Sequence, residues 1–272
     1  MRKKLLFVCF LVPALTIFAA FFLLPVALLV PQSLDTPEGW SIYGQVLANP
    51  RYWSSLVDTV LLSLVVTFAA LIIGGMAALF LERNAFPGRD FLVGILILPL
   101  SFPGVVVGFM VIMLAGRQGL IGLAANAIFG SRLVFAYSMA GLFAGYLYFS
   151  IPRVVTTVMA AAGKLDTTQE EAARTLGASP LRTLVDVTIP ALVPALASTG
   201  AICFATSIGA FGTAFTLATE INVLPIVIYT EFTLFANFAT ATMLSVVLGV
   251  VTWLILFFSK LLSGFQASVS GI

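Results

Sequence analysis

Charge is what this 272-residue sequence has least of: only 9% of its residues are Asp, Glu, Lys or Arg, against 61% that are hydrophobic. An ordinary soluble domain carries about 25% charged residues, and so thin a supply cannot coat a globule of this length. The chain therefore belongs in a bilayer, as its mean hydropathy of +1.13 also requires. Histidine is absent, which excludes His-based triads, His metal sites and histidine pH switches. The two cysteines, Cys9 and Cys203, lie far apart in apolar runs. They read as packing residues, not as a disulfide framework or a zinc site. A net charge of +2 gives no surface for a polyanion such as nucleic acid. There is no Gly-x-x-x-x-Gly-Lys-[Ser/Thr] phosphate loop, since Gly163-Lys164 lacks both the upstream glycine and the following hydroxyl residue. The chain thus holds no ATPase site of its own.

The few charges are clustered, and the gaps between them are informative. Charge-free runs of 30, 23, 26, 20, 33 and 28 residues follow Lys4, Asp58, Asp90, Arg132, Asp186 and Glu231. Each is long enough to cross about 30 Å of hydrocarbon as a helix of about 20 residues. A β-barrel shows alternating segments of about 10 residues instead. Six helical spans are predicted, at about Leu5–Val30, Leu56–Leu81, Phe91–Ala115, Val134–Met159, Ile189–Phe211 and Ala241–Leu262, in one transmembrane domain covering residues 1–272. Met1-Arg2-Lys3-Lys4 resembles the start of a secretory signal, but the apolar stretch after it is longer than the core of about 7–15 residues of a cleavable one. It reads as a retained first span.

With the N-terminus inside, the inner segments hold ten of the 13 Lys and Arg residues, and the outer segments hold only Arg51, Arg117 and Arg132. The positive-inside rule then places both termini in the cytoplasm. Arg153 falls in the inner group by this count, and no acidic or basic residue is expected at the centre of a span. Trp40, Tyr43, Tyr52 and Trp53 mark an outer interface. The last outer segment, residues 212–240, is mostly apolar and is expected to lie against the membrane or dip into the bundle.

The inner loop 160–188 is the most polar part of the chain. Thr168 followed by Glu171 reads as a capping box, Glu170 and Arg174 as a helical i,i+4 pair, and Gly177 as a left-handed helix stop. Ser179-Pro180 reads as the start of a second short helix, and Ile189-Pro190 as a corner into the fifth span. Two short helices do not hold their shape on local propensity alone, so they need the bundle or another protein as a packing partner. By these residues alone, the loop equally suits a solvated hairpin that merely joins two spans.

Glu171-Ala172-Ala173, three residues, Gly177, nine residues, then Val187-Thr188-Ile189-Pro190 resembles the signature loop of binding-protein-dependent ABC importer permeases. That pattern is Glu-Ala-Ala, three residues, Gly, nine residues, Ile, one residue, Leu-Pro. Val187 for Ile and Ile189 for Leu are the two departures, and both keep an apolar side chain. The resemblance extends to the layout from about Leu56 to Leu262. It implies an all-α integral membrane fold, a six-helix transmembrane permease bundle of the MetI-like, type I ABC importer kind, with a cytoplasmic coupling helix. It further implies that Glu171 contacts a cytoplasmic ATPase, that Ala172 and Ala173 allow close approach, and that Gly177 and Pro190 set the corners. The implied partners are two ABC ATPase subunits, which bind ATP and Mg where this chain binds no cofactor; a second permease, usually a different chain; a periplasmic or lipid-anchored substrate-binding protein; and membrane lipid. The implied location is the bacterial inner membrane.

For the substrate path, Leu98-Pro99-Leu100-Ser101-Phe102-Pro103-Gly104 in span three frees backbone carbonyls. Broken helices at membrane depth tend to line cavities, although a packing kink is the simpler explanation. Ser101, Phe102, Pro103, Ser207 and Phe211 are the candidate path residues. The small residues around Ser207 equally suit close helix packing. Glu220 and Glu231 are candidates for a cation-attracting outer mouth, or for plain interfacial carboxylates. Leu224–Phe232, read as Leu-Pro-x-x-Ile-Tyr-x-Glu-Phe, with Phe211-Gly212-Thr213 before it, resembles permeases for polyamines, iron(III), thiamine, sulfate and aminoethylphosphonate. The resemblance puts polyamines (putrescine or spermidine) first. A self-sufficient secondary carrier is the remote alternative; it leaves the Glu-Ala-Ala spacing unexplained.

Overall fold

The computed structural model describes residues 11–37, 39–217 and 221–269, with side chains as far as Leu261. Arg2, Lys3, Lys4, Cys9, Glu220 and the start of the first span lie outside the described residues. Within them every regular element is helical. The helices are α1 Leu11–Ser33, α2 Ser41–Ala48, α3 Pro50–Arg83, α4 Arg89–Ile97, α5 Gly104–Ala115, α6 Leu120–Phe129, α7 Met139–Ala162, α8 Thr168–Thr175, α9 Pro180–Ile208, α10 Phe211–Leu217, α11 Leu224–Thr233 and α12 Phe238–Val269.

Six helical stretches among the described residues are long and apolar enough to cross a membrane: Leu11–Ser33, Pro50–Arg83, Gly104–Phe129, Met139–Ala162, Pro180–Ile208 and Phe238–Leu261. The expected six-span count is therefore met, with three local differences. The expected third span is broken: α4 ends at Ile97, Leu98–Ser101 forms a 3-10 turn, and Phe102 and Pro103 are extended before α5 begins. Pro99 and Pro103 lack the N–H groups that a continuous helix would use there. The expected outer loop 116–133 contains α6, which ends at Gly130 in the left-handed region with φ +69°. The segment after it returns to the end of α5, where the Phe135 and Ala136 N–H groups both donate to the Ala115 carbonyl at 3.1 Å. The outer segment 212–240 carries two short helices, α10 and α11.

Two prolines are absorbed by the same device. Ala19–Leu23 and Leu184–Thr188 are π-helical turns, each lying just before a proline in the second residue of the following α-helical segment, Pro25 and Pro190. The wider turn lets the N–H of Leu24 reach the Ala19 carbonyl and that of Ile189 reach the Leu184 carbonyl. The helix thus continues where an α-turn would need the missing proline N–H. Pro190 is accordingly not the corner expected from the sequence: α9 runs unbroken from Pro180 to Ile208.

The chain forms two compact units. One comprises Met1–Leu56 and Leu224–Val251. In it Ile42 and Val46, one turn apart on α2, are buried, as are Leu224, Val227 and Glu231 along one stripe of α11. Ser33, at the end of α1, is fully buried and shares a 2.6 Å hydrogen bond with the Tyr43 hydroxyl.

The other unit comprises Val57–Val223 and Thr252–Ile272. Its core joins Ala70, Ala78 and Leu81 of α3 to Val154, Val155 and Val158 of α7 and Leu192 and Cys203 of α9. The approach of α3 to α7 requires glycine: a Cβ on Gly74 would lie 2.8 Å from Val154 Cβ. Small residues let membrane helices come this close, which maximises dispersion contacts where lipid offers no hydrophobic drive between helices. On α3, Phe68, Ile72 and Met76 recur every four residues and are each 61–62% exposed. In water this would be an aggregating patch; on a membrane-spanning helix it is the lipid face.

Candidate functional site

The hairpin after α7 is built from local signals, and one of them differs from expectation. Thr168 is the first residue of α8 and not its cap; Thr167 holds the cap position with helical angles and no side-chain cap bond. The capping oxygen comes from Asp166, whose Oδ1 accepts the Thr168 N–H at 3.0 Å. That bond, and after it the Thr168 hydroxyl, holds the Asp166 carboxyl below its usual range. At the other end Gly177 has φ +87°. The Ala178 N–H donates to Ala173 O at 3.0 Å and the Gly177 N–H to Arg174 O at 2.9 Å, the paired bonds of a Schellman stop. Ser179 Oγ then accepts the Arg182 N–H at 3.3 Å, with Pro180 in the first turn of α9.

The hairpin is pinned to the bundle by a polar triad that the sequence pattern does not announce. Glu170 is buried and does not pair with Arg174. Its carboxylate accepts from Arg83 Nη2, at the end of α3, and from Thr188 Oγ1 at 2.8 Å. Arg83 Nη2 also donates to Thr188 Oγ1 at 3.3 Å. The i,i+4 partner loses because Glu170 faces inward, where a charge needs a partner that shares its burial. Its neighbours face out: Glu171, Ala172, Gly177 and Pro190 are exposed and Ala173 is half-buried. Leu176 and Leu181 are 89% and 71% exposed. The hairpin thus has an anchored inner face and an outer face that combines a carboxylate, small residues and bare leucines.

The second feature is a cavity of about 320 Å³ where the broken span, α7, and the break between α9 and α10 come together. Phe102 and Leu100 of the break line it, with Gly104, Arg153, Thr206 and Thr213 among the rest. Of the other path candidates, Ser101 and Pro103 share the break with Phe102 but are outside the lining, as are Ser207 and Phe211. Ser207 is fully buried, with no hydrogen-bond partner for its hydroxyl.

Two residues hold this region: Tyr146, which no sequence motif marks, and Thr213, which the sequence offers only within the Phe211-Gly212-Thr213 run. Tyr146, fully inside α7, donates from its hydroxyl to the Ala210 carbonyl at 2.7 Å, and so satisfies backbone freed where α9 stops and α10 starts. Thr213 Oγ1 donates to the Gly104 carbonyl at 2.9 Å and closes the freed end of the broken span. Arg153 is the other departure. The charge count groups it with the inner flank, yet α7 carries it nine residues before its end at Ala162, about 14 Å along the axis at 1.5 Å per residue. The bundle is therefore not free of charge: Arg153 Nη1 donates to Thr206 Oγ1 at 2.7 Å beside the cavity.

Glu231 is 3% exposed and already engaged. Tyr52 Oη donates to its Oε1 at 2.9 Å, and Arg51 Nη1 lies 3.7 Å from the same oxygen. Glu220, the other candidate at an outer mouth, is outside the described residues.

Comparison with known proteins agrees with this geometry. Residues 70–267 match the family described as "Binding-protein-dependent transport system inner membrane component". A Salmonella typhi protein named as a 2-aminoethylphosphonate transport system permease, PhnU, is 30% identical over 244 residues, covering 87% of this chain and 84% of its own. The sulfate transport system permease protein CysT of Salmonella typhimurium is 31% identical over 272 residues, covering 98% of this chain and 93% of its own. The fold matches a chain in the crystal structure of a bacterial ABC transporter involved in import of the acidic polysaccharide alginate, with a TM-score of 0.84, 18% identity and 96% of each chain covered. Six apolar spans together with the family match define a multi-pass membrane transport protein. The chain belongs to the binding-protein-dependent permease family, as a permease subunit of an ABC importer.

Proposed function

We propose that the hairpin 164–188 is the element through which this permease is driven by a cytoplasmic ATPase. The carrying observation is its two-sidedness: Glu170 is locked to Arg83 and Thr188, while Glu171, Leu176 and Leu181 have no protein over them. A docking partner that covers those leucines and offers a donor to Glu171 fits that face. In this reading Ala172 and Ala173 permit close approach, Gly177 sets the corner, and α9, which runs unbroken through Pro190 into the fifth span, carries motion from the hairpin to the bundle. Closure of two ATPase subunits on ATP and Mg then moves two such hairpins together, one from this chain and one from a second permease. A binding protein delivers substrate on the opposite side, with both termini of this chain in the cytoplasm. The test is Glu171→Lys in the transporter assembled with its ATPase and binding protein. The variant is expected to insert normally and to lose ATP-driven uptake by more than about tenfold; full uptake would overturn the assignment.

We further infer that the substrate is a small oxyanion of the sulfate or phosphonate kind. What supports this over a polyamine is the naming of the relatives that align over most of the chain, for aminoethylphosphonate and sulfate. The buried, paired state of Glu231 also removes it as a free anionic attractor for cations. Proteoliposomes holding the assembled transporter decide between them. ATP-dependent uptake of radiolabelled sulfate or phosphonate, with none of putrescine, is expected; the reverse would restore the polyamine reading.

A further inference from the structure

The arginine inside the fourth span has a position that packing does not explain. Burying a guanidinium at membrane depth is expensive, and such residues face cavities or paths and take partners there. Arg153 is half-buried, and the partner the structure gives it is neutral: the Thr206 hydroxyl at 2.7 Å. No carboxylate lies within ion-pair distance of it among the described residues, although Arg51, Arg83, Arg89 and Arg182 all have one. A guanidinium offers five donors, and one hydroxyl leaves its charge uncompensated.

The cavity beside it has the complementary shape and polarity. Its lining contains no acidic residue, and the hydroxyls of Thr206 and Thr213 stand on its wall. Gly104 and Val105, the first two residues of α5, also line it. No side chain caps that helix start, and the N-terminus of a helix carries partial positive charge. The cavity thus has a full positive charge on one wall and a helix N-terminus on another. At about 320 Å³ it has room for on the order of ten waters of about 30 Å³ each, which suits a small ion that keeps part of its hydration.

We propose that Arg153, with Thr206, forms an oxyanion-coordinating site within the membrane part of the permease, the charge-selective step of the translocation path. The proposal rests on the oxyanion reading given above and adds where the anion is met. Thr206 orients the guanidinium across the cavity so that its remaining donors face the ion. The break in the third span supplies the opening and the helix N-terminus. The site excludes cations by repulsion, and it holds a planar or tetrahedral oxyanion by the fork of donors that suits such oxygens.

The test uses the assembled transporter with Cys9→Ser and Cys203→Ala, and a reporter, Leu100→Cys, on the cavity wall. A negatively charged sulfonate thiol reagent is expected to label Leu100→Cys at least about tenfold faster than an ammonium reagent of the same size, and millimolar sulfate to slow it. Adding Arg153→Gln is expected to erase both the preference and the protection. Equal rates for the two reagents in the Arg153 protein would overturn the proposal, whatever the substrate proves to be. Uptake gives the second measure. Arg153→Gln is expected to lower oxyanion uptake by more than tenfold, with Thr206→Val raising KM several-fold and Arg153→Lys intermediate. Normal KM in all three, with the complex intact by size exclusion, would also sink it. If wild-type transporter moves no oxyanion yet labels preferentially with the anionic reagent, the substrate reading fails and the anion site stands.

Discussion

Arg83, the last residue of α3, and Glu170, in the first turn of α8, are ion-paired across 87 residues of sequence, with the Thr188 hydroxyl bonded to both. This triad joins the hairpin to two different spans at once. It makes the hairpin part of the bundle's frame, tied to α3 and α9 at one point.

Removing one partner exposes that role. Glu170→Ala leaves the guanidinium and the Thr188 hydroxyl without their acceptor. Arg83 keeps 37% of its side chain exposed, so solvent recovers part of the charge. The cost is expected to be on the order of 1–2 kcal/mol, below the roughly 3–5 of a fully buried pair. Thermal unfolding in detergent should show the loss, with Thr188→Val costing less. An unchanged melting temperature in Glu170→Ala would mean the triad holds nothing.

The packing of α7 against α10 makes a sharper case. A Cβ on Gly145 would sit 2.8 Å from Thr213 Cγ2, while its next neighbours are at 3.6 and 3.9 Å. Gly145→Ala is therefore expected to destabilise by about 1–3 kcal/mol through overpacking. Thr213→Ser removes the offending methyl and keeps the hydroxyl that bonds the Gly104 carbonyl. The double variant should recover most of the loss in a double-mutant cycle; a purely additive result would refute the steric account.

Tyr146→Phe tests the join between α9 and α10. It preserves the ring and deletes only the donor to the Ala210 carbonyl. Ala210 is half-buried on the cavity wall, so the lost bond is expected to cost about 1 kcal/mol, and the loosening should localise at residues 209–211. Faster amide exchange there, with the core of α7 unaffected, is the expected signature.

Glu231 is expected to act structurally. Glu231→Gln still accepts from Tyr52 but loses the attraction to Arg51. Stability should fall slightly, and Tyr52→Phe with Glu231→Gln should be non-additive. A selective loss of cation uptake in Glu231→Gln would return this carboxylate to the role of an outer mouth.

How much of this was legible beforehand differs from feature to feature. Gly177 could be placed because a left-handed stop after a short helix favours one residue type, and Ser179-Pro180 because cap and first-turn preferences are local. The capping box failed because Asp166, two residues before Thr168, competes for the same N–H, and propensity does not rank two nearby caps. Pro190 reads as a corner from sequence because the rule that proline ends a helix assumes α geometry. A π-turn satisfies the same carbonyls without it. Span three reads as one segment with a kink, and Pro99 and Pro103 do mark the break, but only the fold shows that a cavity lies against it.

Counting and local chemistry suffice for residence in a bilayer, for six spans and for the spaced Glu-Ala-Ala loop. Scarce charge, run length and fixed spacing act along the chain, and no distant contact alters them. Tertiary contacts settle which of two adjacent glutamates is the anchor and which the outward face, and that Glu231 is already engaged by Tyr52 and Arg51. They also settle that Arg153 stands beside a cavity and not at a flank. Each of these turns on burial and on partners tens of residues away. Whether a charge is solvated, paired or left facing a cavity is settled only where helices meet.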